Sequence, residues 1–182
     1  MTEPSGAQDP APSPGRAGRN LPAAIASGVV LAALVVVSLV WLPWLFGVLA
    51  AAALCLAIHE LTTAFASAGI RVARTPVYAT TLVGMAAAYI WGTEALLITV
   101  GAGVVAVLMW RIRRGTDGYL RDASASVFLL GYVSLMAGFA MLMLAAPDGP
   151  WRIIVFILLT IGNDIGGYAT GVLFGRHPIA PQ

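Results

Sequence analysis

An all-α bundle of about six membrane-spanning helices, with both termini on the cytoplasmic side, is what this sequence predicts, and two observations carry the prediction. The apolar residues fall in blocks about twenty long, the length a helix needs to cross roughly 30 Å of hydrocarbon at 1.5 Å per residue. The arginines fall in every second gap between those blocks, as cytoplasmic loops collect them. With 59% of 182 residues hydrophobic and 10% charged, against roughly 25% charged in an ordinary soluble domain, the chain has more apolar surface than a water-soluble fold can hide.

Residues 1–20 are rich in Pro, Gly, Ala and Ser and hold no large apolar side chain beyond Met1, so nothing there offsets the entropy of ordering. They are predicted to be a disordered cytoplasmic tail, followed by a transmembrane domain over 21–182. The first apolar block is too long for a signal-peptide core and no small-residue cleavage site follows it. The spans read as 21–42, 43–58 with the helix running on to 67, 77–92, 93–110, 123–146 and 151–175. Pro43 starts the second helix after a bare turn flanked by Trp41 and Trp44, whose indoles suit the membrane interface. The third and fourth spans are short and separated only at Gly92, Thr93 and Glu94, the weakest division in the count.

The arginines test that count. Arg16 and Arg19 precede the first span, Arg71 and Arg74 lie between the second and third, and Arg111, Arg113, Arg114 and Arg121 lie between the fourth and fifth. Arg176 follows the sixth. Nine of the ten arginines are thus on one side, with Arg152 alone on the other. A net charge of +2 with no lysine is too thin for a nucleic-acid surface, so no nucleic-acid partner is expected. Cys55 is alone in an apolar run and is expected to be a small packed hydrophobe.

Three features are not explained by lipid. Asp164 stands about halfway between Trp151 and Gly175, where an ionised side chain costs on the order of 3 kcal/mol. A carboxylate at that depth calls for a polar cavity, a partner or a metal. Tyr168 lies one turn on, within reach of a hydrogen bond to it. Gly167, Gly171 and Gly175 repeat every four residues and make a flat groove, suited first to close helix packing and second to a ligand beside Asp164. The second feature is His59-Glu60. The zinc-protease pattern His-Glu-x-x-His fails here because Thr63 stands at the second His position, leaving a helix-end polar pair or a contribution to a cytoplasmic site. The third is Arg111, Arg113 and Arg114, placed by topology or by contact with anionic lipid or a nucleotide phosphate. Gly101 and Gly103 form a Gly-x-Gly inside a span, without the strand and third glycine of a dinucleotide site.

The run Asn163-Asp164-Ile165-Gly166-Gly167-Tyr168, continuing through Leu173-Phe174-Gly175-Arg176-His177-Pro178, resembles the phosphatidate cytidylyltransferases, or CDP-diacylglycerol synthases. Two further stretches resemble the family in the same order. They are Ile58-His59-Glu60-Leu61 with Ala68-Gly69-Ile70, and Gly118-Tyr119-Leu120-Arg121-Asp122 leading into Ser124-Ala125-Ser126-Val127-Phe128. The likeness covers roughly residues 20–182. Where several family members carry basic residues after the His-Glu pair, this chain has Thr62 and Thr63.

The resemblance implies a multi-pass plasma-membrane enzyme that transfers the cytidylyl group of CTP to phosphatidic acid, giving CDP-diacylglycerol and pyrophosphate. It implies Mg²⁺ or another divalent cation held by Asp164, the catalytic carboxylate. Asn163, Tyr168, Arg176 and Glu60 would contact substrate. Membrane lipids are the expected surroundings and a homodimer the candidate assembly. The family's following Ser-Pro-Lys-Lys-Thr-Trp-Glu-Gly segment and its distal Lys-Asp and His-Gly-Gly-x-x-Asp-Arg signature have no counterpart up to Gln182, so the chain is expected to be the N-terminal part of a longer enzyme. Two rival readings stay open: a channel or transporter subunit using Asp164 as an ion site, and a scaffold whose glycine groove docks another helix.

Overall fold

The structure is a computed structural model, and it describes residues 21–174. The predicted tail and Arg176 lie outside the described residues. The elements are α1 (Leu21–Trp41), α2 (Pro43–Ser67), α3 (Arg74–Trp91), α4 (Thr93–Ile112), α5 (Tyr119–Leu129), a π-helical turn (Leu130–Leu135), α6 (Met136–Ala145) and α7 (Gly149–Phe174). Since α5, the π turn and α6 run on as one rod, the described residues form six rods, in the order the apolar blocks predict. By internal contacts the chain divides into one unit up to Leu34 and another from Val35 onward. The described part of the first is a plain helical run with Ile25, Val29, Val30 and Leu31 exposed.

Each break has a local cause. Pro43 cannot continue α1 and sits well at the first position of α2, where its missing N–H is not needed. The Ile70 amide donates to the Phe65 carbonyl at 2.9 Å and the Gly69 amide to the Ala66 carbonyl at 3.0 Å, with Gly69 at φ +74°. That is a Schellman turn, which closes α2 and satisfies its last carbonyls. Gly92, at φ +83°, divides α3 from α4, so the third and fourth spans are separate helices. The fifth rod begins at Tyr119, four residues before its predicted start at Ala123, because Arg121 and Asp122 are helical and Asp122 is buried.

Pro43–Ser67, Thr93–Ile112, Tyr119–Ala145 and Gly149–Leu173 are long and apolar enough to cross a membrane, and Ile25–Trp41 is a shorter apolar helix. The protein is therefore a polytopic membrane helical bundle. Helix α3 is less apolar, and its position explains why. It packs against α4, the π turn and α6, with Thr80, Thr81, Gly84, Met85, Ala87 and Ala88 buried, so other helices surround much of it. Gly103 of α4 gives Thr80 its room: a Cβ there would overlap the threonine side chain, as in small-residue membrane interfaces. The Thr81 and Ser134 hydroxyls bond to each other at 2.7 Å, which keeps two buried polar groups satisfied beside the π turn.

Two apolar clusters make up the core of the described residues. Leu39, Met85, Ala88, Leu96, Ala137, Met141, Leu144 and Ile153 form one. Ile58, Val72, Ala73, Val77, Val107, Leu129, Leu130 and Val133 form the other, in which Val72 and Ala73 stand between Arg71 and Arg74 in the chain.

Candidate functional site

The sequence points to α7, and the structure places Asn163, Asp164 and Tyr168 on its second half, all exposed. Among the described residues Asp164 has no hydrogen-bond or ion partner, and no bond joins it to Tyr168. Nothing lies within 4 Å of a Cβ built on Gly167 or Gly171, so among the described residues no helix fills the groove, and Gly175 lies outside them. Glu60 sits on α2, exposed, with His59 beside it. The His59 carbonyl accepts from the Thr62 hydroxyl at 3.1 Å and the Thr63 hydroxyl at 2.8 Å. Thr62 and Thr63 thus share one carbonyl of their own helix.

No group of three or more His, Cys, Asp or Glu side chains able to hold a metal ion is assembled among the described residues. Asp164 contributes a single unengaged carboxylate. That donor fits one position around Mg²⁺, which is commonly held by one or two carboxylates together with waters and substrate phosphates; it is not a protein cage.

The arginine-rich end is far more densely bonded. Asp122, in the first turn of α5, is 1% exposed, and Arg111, in the last turn of α4, is 3% exposed. Arg111 Nε donates to Asp122 Oδ2 at 3.0 Å and its Nη2 approaches the same oxygen at 2.9 Å. Nη1 donates to the Gly115 carbonyl at 3.0 Å and Nη2 to the Asp117 carbonyl, which ties down the loop between α4 and α5. Asp122 Oδ1 accepts from the Arg71 amide at 3.1 Å and from Arg121 Nε at 3.4 Å. Arg121 Nη2 in turn donates to the Gly69 carbonyl at 2.6 Å. One turn on, the Ser126 hydroxyl donates to the Asp122 carbonyl at 2.7 Å and accepts from the Ala73 amide at 3.0 Å. A single buried carboxylate thus fastens the loop between α2 and α3 to α5.

Beside this clamp lies a cavity of about 530 Å³, lined by Thr62, Arg71, Arg74, Thr75, Trp110 and Arg114 among others. Arg74 reaches the Thr62 carbonyl at 3.4 Å. The ion pairs among the described residues belong to Arg111, Arg121 and Arg152, so Arg71, Arg74 and Arg114 face the cavity without a carboxylate. The arginine cluster of the sequence therefore divides: Arg111 is bound up in the clamp, while Arg114 lines the cavity. Asp122 and the convergence of Arg71 with Arg114 were missed by sequence reasoning. The signal available was a carboxylate immediately before the predicted start of a span, eleven residues beyond an arginine.

Comparison with known proteins agrees with the sequence motifs. A model of the cytidylyltransferase family matches residues 22–182. The phosphatidate cytidylyltransferase of Mycobacterium leprae is 37% identical over 183 residues, which cover 92% of this chain and 59% of that protein. Those of Mycobacterium bovis and Mycobacterium tuberculosis are each 33% identical over 190 residues, 96% of this chain and 61% and 57% of theirs. The chain thus spans about three-fifths of the length of the curated relatives it matches. No solved structure matches it. A family match over nearly the whole chain, together with relatives alike over more than nine-tenths of it, places this membrane bundle in the cytidylyltransferase family.

Proposed function

We propose that the chain forms the membrane-embedded part of a phosphatidate cytidylyltransferase. The observation that carries this is the identity of 33–37% to proteins of that name across 92–96% of the chain. In the proposed reaction an oxygen of the phosphatidic acid phosphate attacks the α-phosphorus of CTP. The bond from that phosphorus to the β-phosphate oxygen breaks, and pyrophosphate leaves with the bonding pair. The products are CDP-diacylglycerol and pyrophosphate, and the lipid phosphate itself is the nucleophile.

The residues of α7 suit that reaction through position and charge. Asp164 is a mid-helix carboxylate without a partner among the described residues, and its cost in lipid is offset only when something cationic or hydrogen-bonding faces it. It is the proposed ligand for Mg²⁺ or another divalent cation, which when bound would offset phosphate charge and align the reacting oxygens. Asn163 and Tyr168, on the same stretch, offer an amide and a hydroxyl as donors to phosphoryl oxygens. Arg176 is proposed to pair with phosphate, and Glu60 to accept from the nucleotide. The plasma membrane, with the arginine-rich end in the cytoplasm, is the proposed location, since that is where the arginine bias puts the loops facing CTP.

The test is conversion of CTP and phosphatidic acid by the full-length enzyme with Asp164→Asn. Activity should fall by about 10²–10³-fold, the range seen when one group that stabilises transition-state charge is removed. Wild-type activity in a well-folded Asp164→Asn variant would rule out the catalytic role of Asp164.

A further inference from the structure

The cavity at the arginine-rich end has a composition that membrane topology alone does not demand. Topology asks for arginines somewhere in the loops between α2 and α3 and between α4 and α5. It does not ask that three of them, from both loops, converge on one space. Nor does it ask that this space lack a carboxylate while Arg111 and Arg121, close by, are both neutralised by Asp122. The carboxylate that could have compensated Arg71 is spent: Asp122 Oδ1 accepts from the Arg71 backbone amide, which fixes the loop and leaves the Arg71 side chain exposed.

Arg74 and Thr75 are also the first two residues of the 18-residue helix α3; the Arg74 amide is taken by the Val72 carbonyl at 2.9 Å and Pro76 has no N–H, which leaves the Thr75 amide as the first-turn donor at the positive end of the helix dipole. No side chain caps that end. Thr62 and Trp110 complete the wall, the Thr62 hydroxyl being spent on the His59 carbonyl, so the guanidinium groups are the main donors. Three fork-shaped donors around a volume of about 530 Å³ make a receptor for a multiply charged phosphate with an attached group, because guanidinium donors match phosphate oxygens in pairs.

We propose that this cavity binds the phosphate of a substrate: the phosphomonoester of phosphatidic acid or the polyphosphate of CTP. The proposal rests on the cytidylyltransferase reading for the identity of the two ligands, and it assigns Arg71, Arg74 and Arg114 a part in holding one of them, at a place in the chain separate from the Asp164 run. Arg74 also braces the Thr62 carbonyl, whereas Arg71 and Arg114 have exposed side chains and can be changed without disturbing the clamp.

The experiment is calorimetric binding to the full-length enzyme in detergent, with divalent metal removed so that no turnover occurs. The probes are CTP, dihexanoyl phosphatidate and, as control, dihexanoyl phosphatidylcholine. In Arg71→Gln/Arg114→Gln protein with an unchanged melting temperature, the Kd for at least one phosphate probe should rise tenfold or more, with no change toward the control. Loss confined to phosphatidate identifies the lipid as occupant, and loss confined to CTP identifies the nucleotide; either supports the proposal. Unchanged affinity for both probes overturns it. Arginine-dependent binding in an enzyme that converts no phosphatidate would instead sink the catalytic reading and leave the phosphate site standing.

Discussion

Two regions of this molecule handle charge in opposite ways. At the arginine-rich end Asp122 and Arg111 are almost wholly buried, and besides each other their side-chain nitrogens and oxygens are met by loop carbonyls, a loop amide and a second guanidinium. Halfway along α7 Asp164 is exposed, with no polar partner among the described residues. The contrast separates two uses of an ionised group in a membrane protein. A charge that is paired and enclosed holds the fold, because removing either partner strands the other. A charge left open is available to a ligand.

Mutations at the two aspartates should therefore differ in kind. Asp122→Ala leaves Arg111 buried and unpaired and frees the loop between α2 and α3, so it should destabilise the protein by about 3–5 kcal/mol, read as a lowered midpoint in thermal or denaturant unfolding in detergent. Replacing both partners by apolar side chains should recover much of that loss. If Asp122→Ala is harmless, the clamp is ornamental and the contrast collapses. Asp164→Leu tests the other half. Taking an unpartnered carboxylate out of an apolar span should raise the midpoint or leave it unchanged. A loss as large as that of Asp122→Ala would show that Asp164, too, is held by a buried partner.

The smallest effect belongs to the opposite end, where Arg152 Nε donates to Asp148 at 2.7 Å with both side chains more than half exposed. The hydrogen bond from Arg152 holds the Asp148 carboxyl below its ordinary value of 3.8. The pair therefore favours the folded state above that pH, and its contribution is lost as pH falls below it. Solvent and salt screen such a pair. Arg152→Gln should leave the unfolding midpoint at neutral pH within its experimental scatter, and any difference should vanish in acid. A large shift would mean that Arg152 is engaged by more than Asp148.

The rods were legible in the sequence because lipid imposes a length on each and arginine marks alternate ends. Pro43 and Gly92 mark breaks by backbone chemistry alone, and both breaks stand where they were expected. Asp122 was hidden for a physical reason. Its partners Arg71 and Arg111 already had an explanation in membrane topology, and the pairing exists only once α3, α4 and α5 are side by side. The π turn at Leu130–Leu135 was hidden likewise, since it reflects how the fifth rod fits its neighbours and leaves no mark in the hydrophobic pattern. Asp164 stood out in the sequence because a mid-span carboxylate is conspicuous in any membrane helix, whatever surrounds it.

The clamp also bears on how the chain is made. The bonds from the Arg71 amide to Asp122 and from Arg121 to Gly69 join residues 51 and 52 positions apart. During synthesis the loop between α2 and α3 is laid down two helices before its anchor emerges. Until the start of the fifth rod leaves the translocation machinery, the cavity has its three arginines but no fixed rim, and a chain arrested before Asp122 should show that loop open to protease. Assembly of the arginine-lined space is thus a late event in membrane insertion, timed by the arrival of one aspartate.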